Sequence, residues 1–177
     1  MRLLLLFGLG LLVLGACATA PSTAEDRKVL DTQCEAAVSA IKRKDPGIER
    51  FFTDSVAYAI FPSIGKGGIG VAGAYGRGQL YEDGRMVGFC DLSQASVGLQ
   101  LGGQSYTEII FFQTEAALQN FKANNFEFAA GASAVAAESG AATTADYSNG
   151  VAVFTMVKGG LMYEASIGGQ SFSYQPK

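Results

Sequence analysis

The sequence predicts an α+β fold, with N-terminal helices followed by a glycine-rich, mainly antiparallel β-sheet that has one helix inserted between strands. Apolar residues recur at helical spacing over about 24–42, and from Lys66 onward their period changes to two, as in strands. The 23 glycines gather with β-branched and aromatic residues and show no collagen-like period. Helices first and hairpin-linked strands afterwards are typical of α+β proteins with an antiparallel sheet.

Two helices are predicted before the sheet. In the first, from about Ala24 to Lys42, one face carries Leu30, Cys34, Ala37, Val38 and Ile41. Asp45 then suits an N-cap and Pro46 suits the first turn of a second helix. Its apolar face would carry Ile48, Phe51, Phe52 and Val56. The pattern therefore predicts a helical layer that packs on the sheet.

Turn-forming residues and the alternation of apolar with polar residues predict the strands of the sheet. Asp83 and Gly84 suit a tight hairpin turn with positive φ. Further strands are expected over 97–102, 106–112, 126–137, 151–158, 161–167 and 172–174, with a break near Gly103. Thr114 suits the cap of a helix that runs to about Asn124, and 138–150 is expected to be a loop.

Composition excludes several classes of function. The 177 residues, 49% of them hydrophobic and 16% charged, suggest one folded domain over 24–177. The chain has no histidine, so histidine general bases, Ser-His-Asp and Cys-His sites and histidine-ligated zinc are excluded. Carboxylates are scattered, and no cofactor or metal site is expected. A formal net charge of −3 gives no broad field for nucleic acid. We therefore expect a protein that is not an enzyme.

The N-terminus predicts a lipoprotein signal over 1–16. Arg2 precedes an apolar run of about a dozen residues, which is shorter than the ~20 needed to span a bilayer as a helix. The run ends in the letters LGAC, which resemble the bacterial lipobox, in which a peptidase cleaves before the cysteine and its thiol takes diacylglycerol. Cys17 would then carry an acyl anchor, residues 17–23 would form a tether, and Ala18 would favour the outer membrane, facing the periplasm. An ordinary signal peptide with a chance cysteine is the alternative.

The stretch KGGIGVAGAYGRG, residues 66–78, contains a formal match to the dinucleotide fingerprint GxGxxG. That fingerprint needs a helix directly after the glycines, and a strand and a turn follow here instead. Interpreted as one strand, the stretch places six small residues on a single face: Gly68, Gly70, Ala72, Ala74, Gly76 and Gly78. Such a face allows close approach of a helix of the same protein or of a lipid.

The sequence also contains a formal match to the SxxK motif, but not in the structural context that this motif requires. Ser63 and Lys66 match the SxxK spacing of penicillin-recognising enzymes, and the KGG at Lys158 faintly resembles their KTG. That chemistry needs the serine at the start of a buried helix, whereas glycines and a strand follow here.

Two cysteines remain besides Cys17. Cys34 lies in the first helical pattern and Cys90 ends a strand-like run. An oxidising periplasm would allow them to pair, and two free buried thiols are the alternative.

The ordered motifs AIFPSIGKGGIGVAGAYGRGQLY, VGFCDLSQASVGLQLGGQSYTEIIFF, FEFAAGASAVAA and KGGLMYEASIGGQSF resemble the SYLF lipid-binding domain over about 56–174. The resemblance implies lipid binding without catalysis. Eukaryotic members bind phosphoinositides and sometimes actin, and bacterial members are commonly single-domain envelope lipoproteins. The sequence departs from the family at Cys90, where an aromatic residue is common, and at Glu138 and Ser139, where a glycine–proline pair is frequent.

The sequence offers five candidate residues for a lipid-binding site. A site for anionic phospholipid headgroups needs cations beside an apolar surface. Lys66 and Lys158 open the two KGG segments, and Arg77 follows Tyr75 on the glycine-rich strand. We expect these three cations to contact the headgroup, with Phe61 and Ile64 as apolar contacts. Solvated charges and core residues are the alternative for these positions, and an envelope scaffold that binds a protein is the alternative function.

Overall fold

A computed structural model describes residues 20–69, 71–97, 100–128, 133–158 and 165–177. The helices are α1 (Ala24–Lys44), a short 3-10 helix (Pro46–Ile48), α2 (Glu49–Asp54), α3 (Glu115–Lys122) and α4 (Ala141–Thr144). The strands are β1 (Ala57–Ile69), β2 (Val71–Glu82), β3 (Arg85–Val97), β4 (Gln100–Phe112), β5 (Ser133–Ala136), β6 (Val151–Val157), β7 (Ala165–Ser166) and β8 (Gln170–Pro176). The predicted α+β class is confirmed, including α3 between β4 and β5.

The strands pair in the order β7-β5-β6-β4-β1-β2-β3-β8. Among the described strands, every pairing is antiparallel except that of β5 with β6, which is parallel. The predicted hairpin between β2 and β3 turns at Asp83 and Gly84, whose φ angles are 48° and 71°. The prediction of this hairpin turn from its Asp-Gly sequence is therefore confirmed.

The sheet curls so that its two ends approach each other. The edge strands β7 and β8 are separated in the chain only by residues 167–169. The free side of β8 meets the segment after α3, since Glu127 bridges Ser171 and the Gly169 N–H donates to the Phe128 carbonyl over 3.0 Å. The curled sheet therefore has an interior face and an outer face, each with its own hydrophobic core.

The interior core combines aromatic and aliphatic side chains from most strands with one side of α3. It includes Phe61, Ile64, Leu80, Leu92, Ile110, Phe112, Leu118, Phe121 and Phe172. The rings of Phe61 and Phe172 lie 5.8 Å apart between centroids, although β1 and β8 are not neighbours in the sheet. Contact across the interior is therefore direct, as in a small packed barrel.

The outer face is covered by α1 and α2. The predicted apolar positions Leu30, Cys34, Ala37 and Ile41 are buried against it. The Cys34 thiol lies 3.9 Å from the Ile60 carbonyl, whereas Cys90 belongs to the interior core on the other face of the sheet. Both thiols are buried and free, so the pairing left open by the sequence does not form. Within the described ranges, no helix combines the length and apolarity that crossing a bilayer requires.

The glycine-rich stretch is not the single strand that we predicted. β1 ends at Ile69 and β2 begins at Val71, so the stretch spans a hairpin, and residue 70 lies outside the described residues. Within β2, the even-numbered residues share one face as predicted, and because Ala74 and Leu80 belong to the interior core, this face points inward. A Cβ atom at Gly76 would lie 2.6 Å from Ile64 Cγ1. The face is therefore covered by the neighbouring strand's own side chains, whereas α1 packs on the opposite face.

Four other predicted segments differ from the structure or are only partly described by it. β4 runs as one strand from Gln100 to Phe112, and the expected break near Gly103 is instead an irregularity in its pairing with β1, where Lys66 pairs with Gln104 but Gly68 pairs with Gln100. The expected loop over 138–150 contains α4. Only 133–136 of the predicted strand over 126–137 is a strand, and 129–132 lie outside the described residues. Of the predicted strand over 161–167, the structure shows β7 at 165–166. Residues 161–164 lie outside the described residues.

Asp45 joins the N-terminal helices to α4. Its side chain is fully buried and accepts hydrogen bonds from the backbone N–H groups of Gly47, Gly140 and Ala142, at 3.1, 3.3 and 2.6 Å. Asp45→Asn would turn an N–H₂ group toward the Ala142 N–H. We expect a loss of about 2 kcal/mol in the free energy of unfolding, because one buried donor loses its acceptor.

Urea denaturation would measure this loss. Asp146→Asn is the matched control, because Asp146 is exposed and accepts only from the N–H of Tyr147. Equal stability of the two variants would contradict the proposed role of Asp45.

Candidate functional site

A cluster of polar side chains lies inside the curled sheet. On β4, the period-two alternation that buries Phe112 and Ile110 also directs Glu108 and Tyr106 to the interior. Glu108 is paired with Phe61 of β1 on one side and with Thr155 of β6 on the other. Further polar residues of the interior are Gln94 of β3 and Gln170 of β8, which are register partners. All of these polar residues are buried.

Glu108 and Gln170 meet across the interior. The Gln170 Nε2 group donates to Glu108 Oε2 over 3.0 Å and lies 3.3 Å from the Tyr106 hydroxyl. The other acceptor atoms, Glu108 Oε1 and Gln170 Oε1, are buried and have no hydrogen-bond partner. Buried polar atoms are normally satisfied, and a protonated Glu108 carboxyl supplies one donor within this pair.

Burial changes the titration of this cluster. Loss of hydration raises the pKa of Glu108 to about 8, and the hydrogen bond from Gln170 opposes this in part. The pKa of Tyr106 is also raised, first by burial and then by the nearby Glu108 carboxylate. Glu108 is therefore mostly protonated at neutral pH. Among the described residues, no lysine or arginine forms an ion pair with it.

Lys66 and Lys158 lie at the end of the sheet where β1 and β2 are connected. Lys66 is the register partner of Gln104 on β4 and shares the interior side of β1 with Ile64. The Lys158 N–H donates to the Ser105 carbonyl over 3.0 Å, and its side chain is exposed. The two lysines flank β4 at a backbone separation of two strand spacings, about 10 Å. Because Val157 pairs with the interior-facing Tyr106, alternation places Lys158 on the outer face. The structure therefore brings the two lysines to the same end of the sheet but onto opposite faces.

Arg77 is set apart from Lys66. Its side chain lies on the outer face, where its Nε contacts Asp91 Oδ1 at 3.2 Å. Tyr75 donates to the same carboxylate oxygen over 3.0 Å and is 52% exposed. Because its charge is already paired, Arg77 is less available to an anionic headgroup than Lys66 and Lys158 are.

Phe61 and Ile64, the predicted apolar contacts, are fully buried in the interior core. In this conformation their side chains pack on the β2 glycines and on the ring of Phe172. Any lipid that touches them has to enter the curled sheet.

A groove of about 240 Å³ lies on the outer face, between the first turns of α1 and the sheet. Pro21, Val29 and Pro62 supply apolar lining, and Asp26 and Arg77 supply opposite charges. The 47% exposure of Val29 makes this an accessible surface.

Cys17 lies outside the described residues, but the chain that follows it is held by the domain. The Ala20 N–H donates to Gln175 Oε1 over 3.1 Å, Pro21 is buried, and Arg27 Nε donates to the Pro21 carbonyl over 3.0 Å. Only residues 18 and 19 separate Cys17 from Ala20, so Cys17 is within about 11 Å of Ala20 along an extended chain. The predicted tether over 17–23 is therefore short.

Two features of the sequence could have identified the interior cluster. Glu108 interrupts an apolar alternation formed by Tyr106, Ile110 and Phe112, and a carboxylate at a core position is rare. The similarity of LGGQSYTE at 101–108 to IGGQSFSY at 167–174 also relates the two segments that meet here. Among the described residues, no group of three or more His, Cys, Asp or Glu residues could hold a metal ion.

Part of the sequence matches a known protein family. Residues 93–176, which include β4, the interior cluster and β8, match the family model described as Ysc84, Las17-binding protein actin regulator. Residues 93–176 of this chain therefore match the SYLF family. The resemblance inferred from the glycine motifs is thereby confirmed, and the match contains Glu108, Lys158 and Gln170.

One curated relative of this SYLF protein is beta cell expansion factor A from Aeromonas veronii. The two are 24% identical over 156 residues, which cover 86% of this chain and 59% of the relative. This chain therefore spans about three fifths of the length of that relative.

Proposed function

We propose that this SYLF protein binds phospholipids without catalysing a reaction, and that it does so at the bacterial envelope as a lipid-anchored protein. The observation that carries the proposal is the placement of Lys66 and Lys158 on either side of β4, at one end of the sheet. Neither lysine is in an ion pair within the described part of the chain. Each unpaired ammonium group suits a headgroup phosphate, Lys66 from the interior side and Lys158 from the outer side of this end of the sheet, and both favour anionic lipids.

The proposed anchor is diacylglycerol and an acyl chain on Cys17, with residues 1–16 removed as a signal. The sequence LGAC supports it, and the attachment of Ala20 and Pro21 to the domain keeps the fold close to such an anchor. A surface-held domain gains a high effective concentration of lipid, so modest intrinsic affinity suffices. We propose an outer-membrane location that faces the periplasm.

The double variant Lys66→Gln/Lys158→Gln is expected to weaken binding to phosphatidylglycerol vesicles about thirtyfold, because each of the two charge-assisted contacts contributes roughly 1 kcal/mol at the membrane surface. Flotation of the unlipidated domain with anionic and neutral vesicles measures this. Lys44→Gln is the control, because Lys44 is an exposed lysine at the C-terminal end of α1, away from the proposed site.

The second candidate is an envelope scaffold that binds a protein. The exposed Tyr75 and Val29 beside the outer groove favour this candidate, because exposed apolar side chains next to a groove are typical of docking surfaces. It predicts a different outcome for the same double variant. Vesicle flotation would be unchanged or absent for both proteins, and pull-down from envelope extracts would recover a partner that depends on the outer face.

A further inference from the structure

The curled sheet closes at a seam, where residues 169–171 meet residues 127–128 of the segment after α3. On its other side, β8 pairs with β3 along its whole length. At the seam, a single β-bridge joins the two segments, the Gly169 N–H donates to the Phe128 carbonyl over 3.0 Å, and the Phe128 N–H donates to the Gln170 carbonyl over a longer 3.4 Å. Regions with such limited backbone hydrogen bonding open before the rest of a fold.

A side-chain contact inside the sheet crosses this closure. Gln170 belongs to the seam through its backbone, and its side-chain Nε2 donates to Glu108 Oε2 over 3.0 Å. Glu108 lies on β4, which β1, β2 and β3 separate from β8 in the sheet. Both side chains are fully buried. The contact therefore exists only while the sheet is closed, and a change that weakens it favours opening of the seam.

The hydrogen-bonding groups of this pair are all used when Glu108 carries a proton. Gln170 Nε2 has two N–H groups, and it lies 3.0 Å from Glu108 Oε2 and 3.3 Å from the Tyr106 hydroxyl. The remaining oxygens, Glu108 Oε1 and Gln170 Oε1, have no partner among the described residues. A proton on Glu108 Oε1 makes this oxygen a donor, and Gln170 Oε1 is an acceptor. An ionised carboxylate instead leaves both oxygens unsatisfied in the core.

We propose that Glu108 and Gln170 form a proton-dependent latch that holds the curled sheet closed. In the closed state, protonated Glu108 donates from Oε1 to Gln170 Oε1, while Gln170 Nε2 donates to Glu108 Oε2. When Glu108 gives its proton to the solvent, the O–H···O bond is lost and a buried charge is created. The seam then opens, and water hydrates the carboxylate. The latch is a property of the fold and does not depend on the proposed lipid binding.

The elements around Glu108 carry other titratable or charged side chains in the described part of the chain: Lys66 of β1, Glu82 of β2, Cys90 of β3, Tyr106 of β4, Lys122 of α3, Glu127 of the seam and Tyr174 of β8. Glu82 and Lys122 form an ion pair with each other, and Glu127 is exposed. Burial raises the pKa values of the thiol and the two phenols, so these groups stay neutral below pH 8. Burial is also what raises the pKa of Glu108 to about 8.

The latch is expected to weaken as the pH rises from 4.5 to 8. Glu108 is hydrated in the open state, so its pKa there is that of an ordinary glutamate, 4.5, against about 8 in the closed state. Between these values opening releases a proton, so each pH unit favours the open state by a further factor of about ten. Above pH 8 the carboxyl is ionised in both states, and the dependence ends.

Opening of the seam changes the surface that the protein presents. Phe172 of β8 packs against Phe126 and Phe128 across the seam, with ring centroids 5.8 and 5.6 Å apart. Release of β8 exposes these rings to the solvent. The latch therefore controls access to the aromatic interior of the sheet.

Amide hydrogen exchange of the protein at pH 5 and pH 7 tests the latch. Protection factors correct for the pH dependence of intrinsic exchange and report the opening equilibrium. We expect those of the Phe128 and Gly169 amides to fall about a hundredfold from pH 5 to pH 7. Amides of the central strand β1 should be better protected at both pH values, because they exchange when the whole domain unfolds. In NMR spectra, the Glu108 carboxyl carbon and the Gln170 side-chain amide should shift with one common pH midpoint.

Glu108→Gln is the matched variant, because its amide can exchange two hydrogen bonds with Gln170 and has no titrating proton. Its seam amides should have the same protection factors at pH 5 and pH 7. The latch is overturned if the wild type shows no pH dependence at the seam, if E108Q shows the same dependence, or if the seam is as well protected as β1. Should E108Q fail to fold, the wild-type spectra decide, since separate midpoints for Glu108 and Gln170 would contradict their pairing.

Discussion

Glu108→Gln is expected to make the protein more stable than the wild type at pH 8, with the difference disappearing near pH 4.5. The pKa of Glu108 is about 8 in the folded protein, against 4.5 for an ordinary glutamate. Between these values the unfolded chain releases a proton that the folded protein keeps, so the stability contributed by this group falls as pH rises. Between pH 4.5 and pH 8, this lowers the free energy of unfolding of the wild type by an amount on the order of 5 kcal/mol. Glutamine has no proton to release in this range, so the E108Q variant does not lose this stability.

Urea denaturation of both proteins at several pH values between 4.5 and 9 measures this difference. Other carboxylates affect both proteins alike, so the comparison isolates Glu108. Glu115→Gln is the matched control, because Glu115 is exposed in the first turn of α3. A constant difference between wild type and E108Q across the whole range would show that Glu108 is not a buried titrating group.

Gly78→Ala is expected to destabilise the protein by about 3 kcal/mol or more, which is at the upper end for overpacking a core. A Cβ atom at Gly78 would lie 2.3 Å from the Ile60 carbonyl oxygen and 2.7 Å from Phe61 Cδ1. The first of these is backbone of a paired strand, so β1 and β2 would have to separate locally. The irregular register of this pair between Ile60 and Ser63 lies at the same position.

Gly65→Ala provides the control for this effect. Gly65 is also a strand glycine of the same hairpin, but a Cβ atom there would meet nothing within 4 Å. Thermal unfolding should leave Gly65→Ala close to wild type and lower the midpoint of Gly78→Ala by many degrees. Similar midpoints for the two variants would contradict the view that the β2 glycines are required for close packing of β1.

These two predictions concern the same architectural feature. The small even-numbered residues of β2 let Phe61 and Ile64 fill the interior, and the curled sheet then encloses Glu108 with Gln170. A bulkier β2 would hold the strands apart and admit water to the carboxyl group. Packing at Gly78 and titration at Glu108 are therefore expected to be coupled, since both depend on closure of the sheet.

The sequence alone determined the α+β class, the limits of α1, the cap at Asp45, the hairpin turn at Asp83 and the family. These features depend on residues close together in the chain, where periodicity, capping and turn chemistry act locally. Only the tertiary structure decided what surrounds the glycine-rich stretch and that Cys34 and Cys90 stay unpaired. It also decided that Lys66 lies on a different face of the sheet from Arg77 and Lys158. Strand register and curl set which face each side chain occupies, and a bulge such as that near Ser63 reverses the alternation. The pairing of Glu108 with Gln170 is the clearest case, because it joins strands that are not neighbours in the sheet and exists only when the sheet closes.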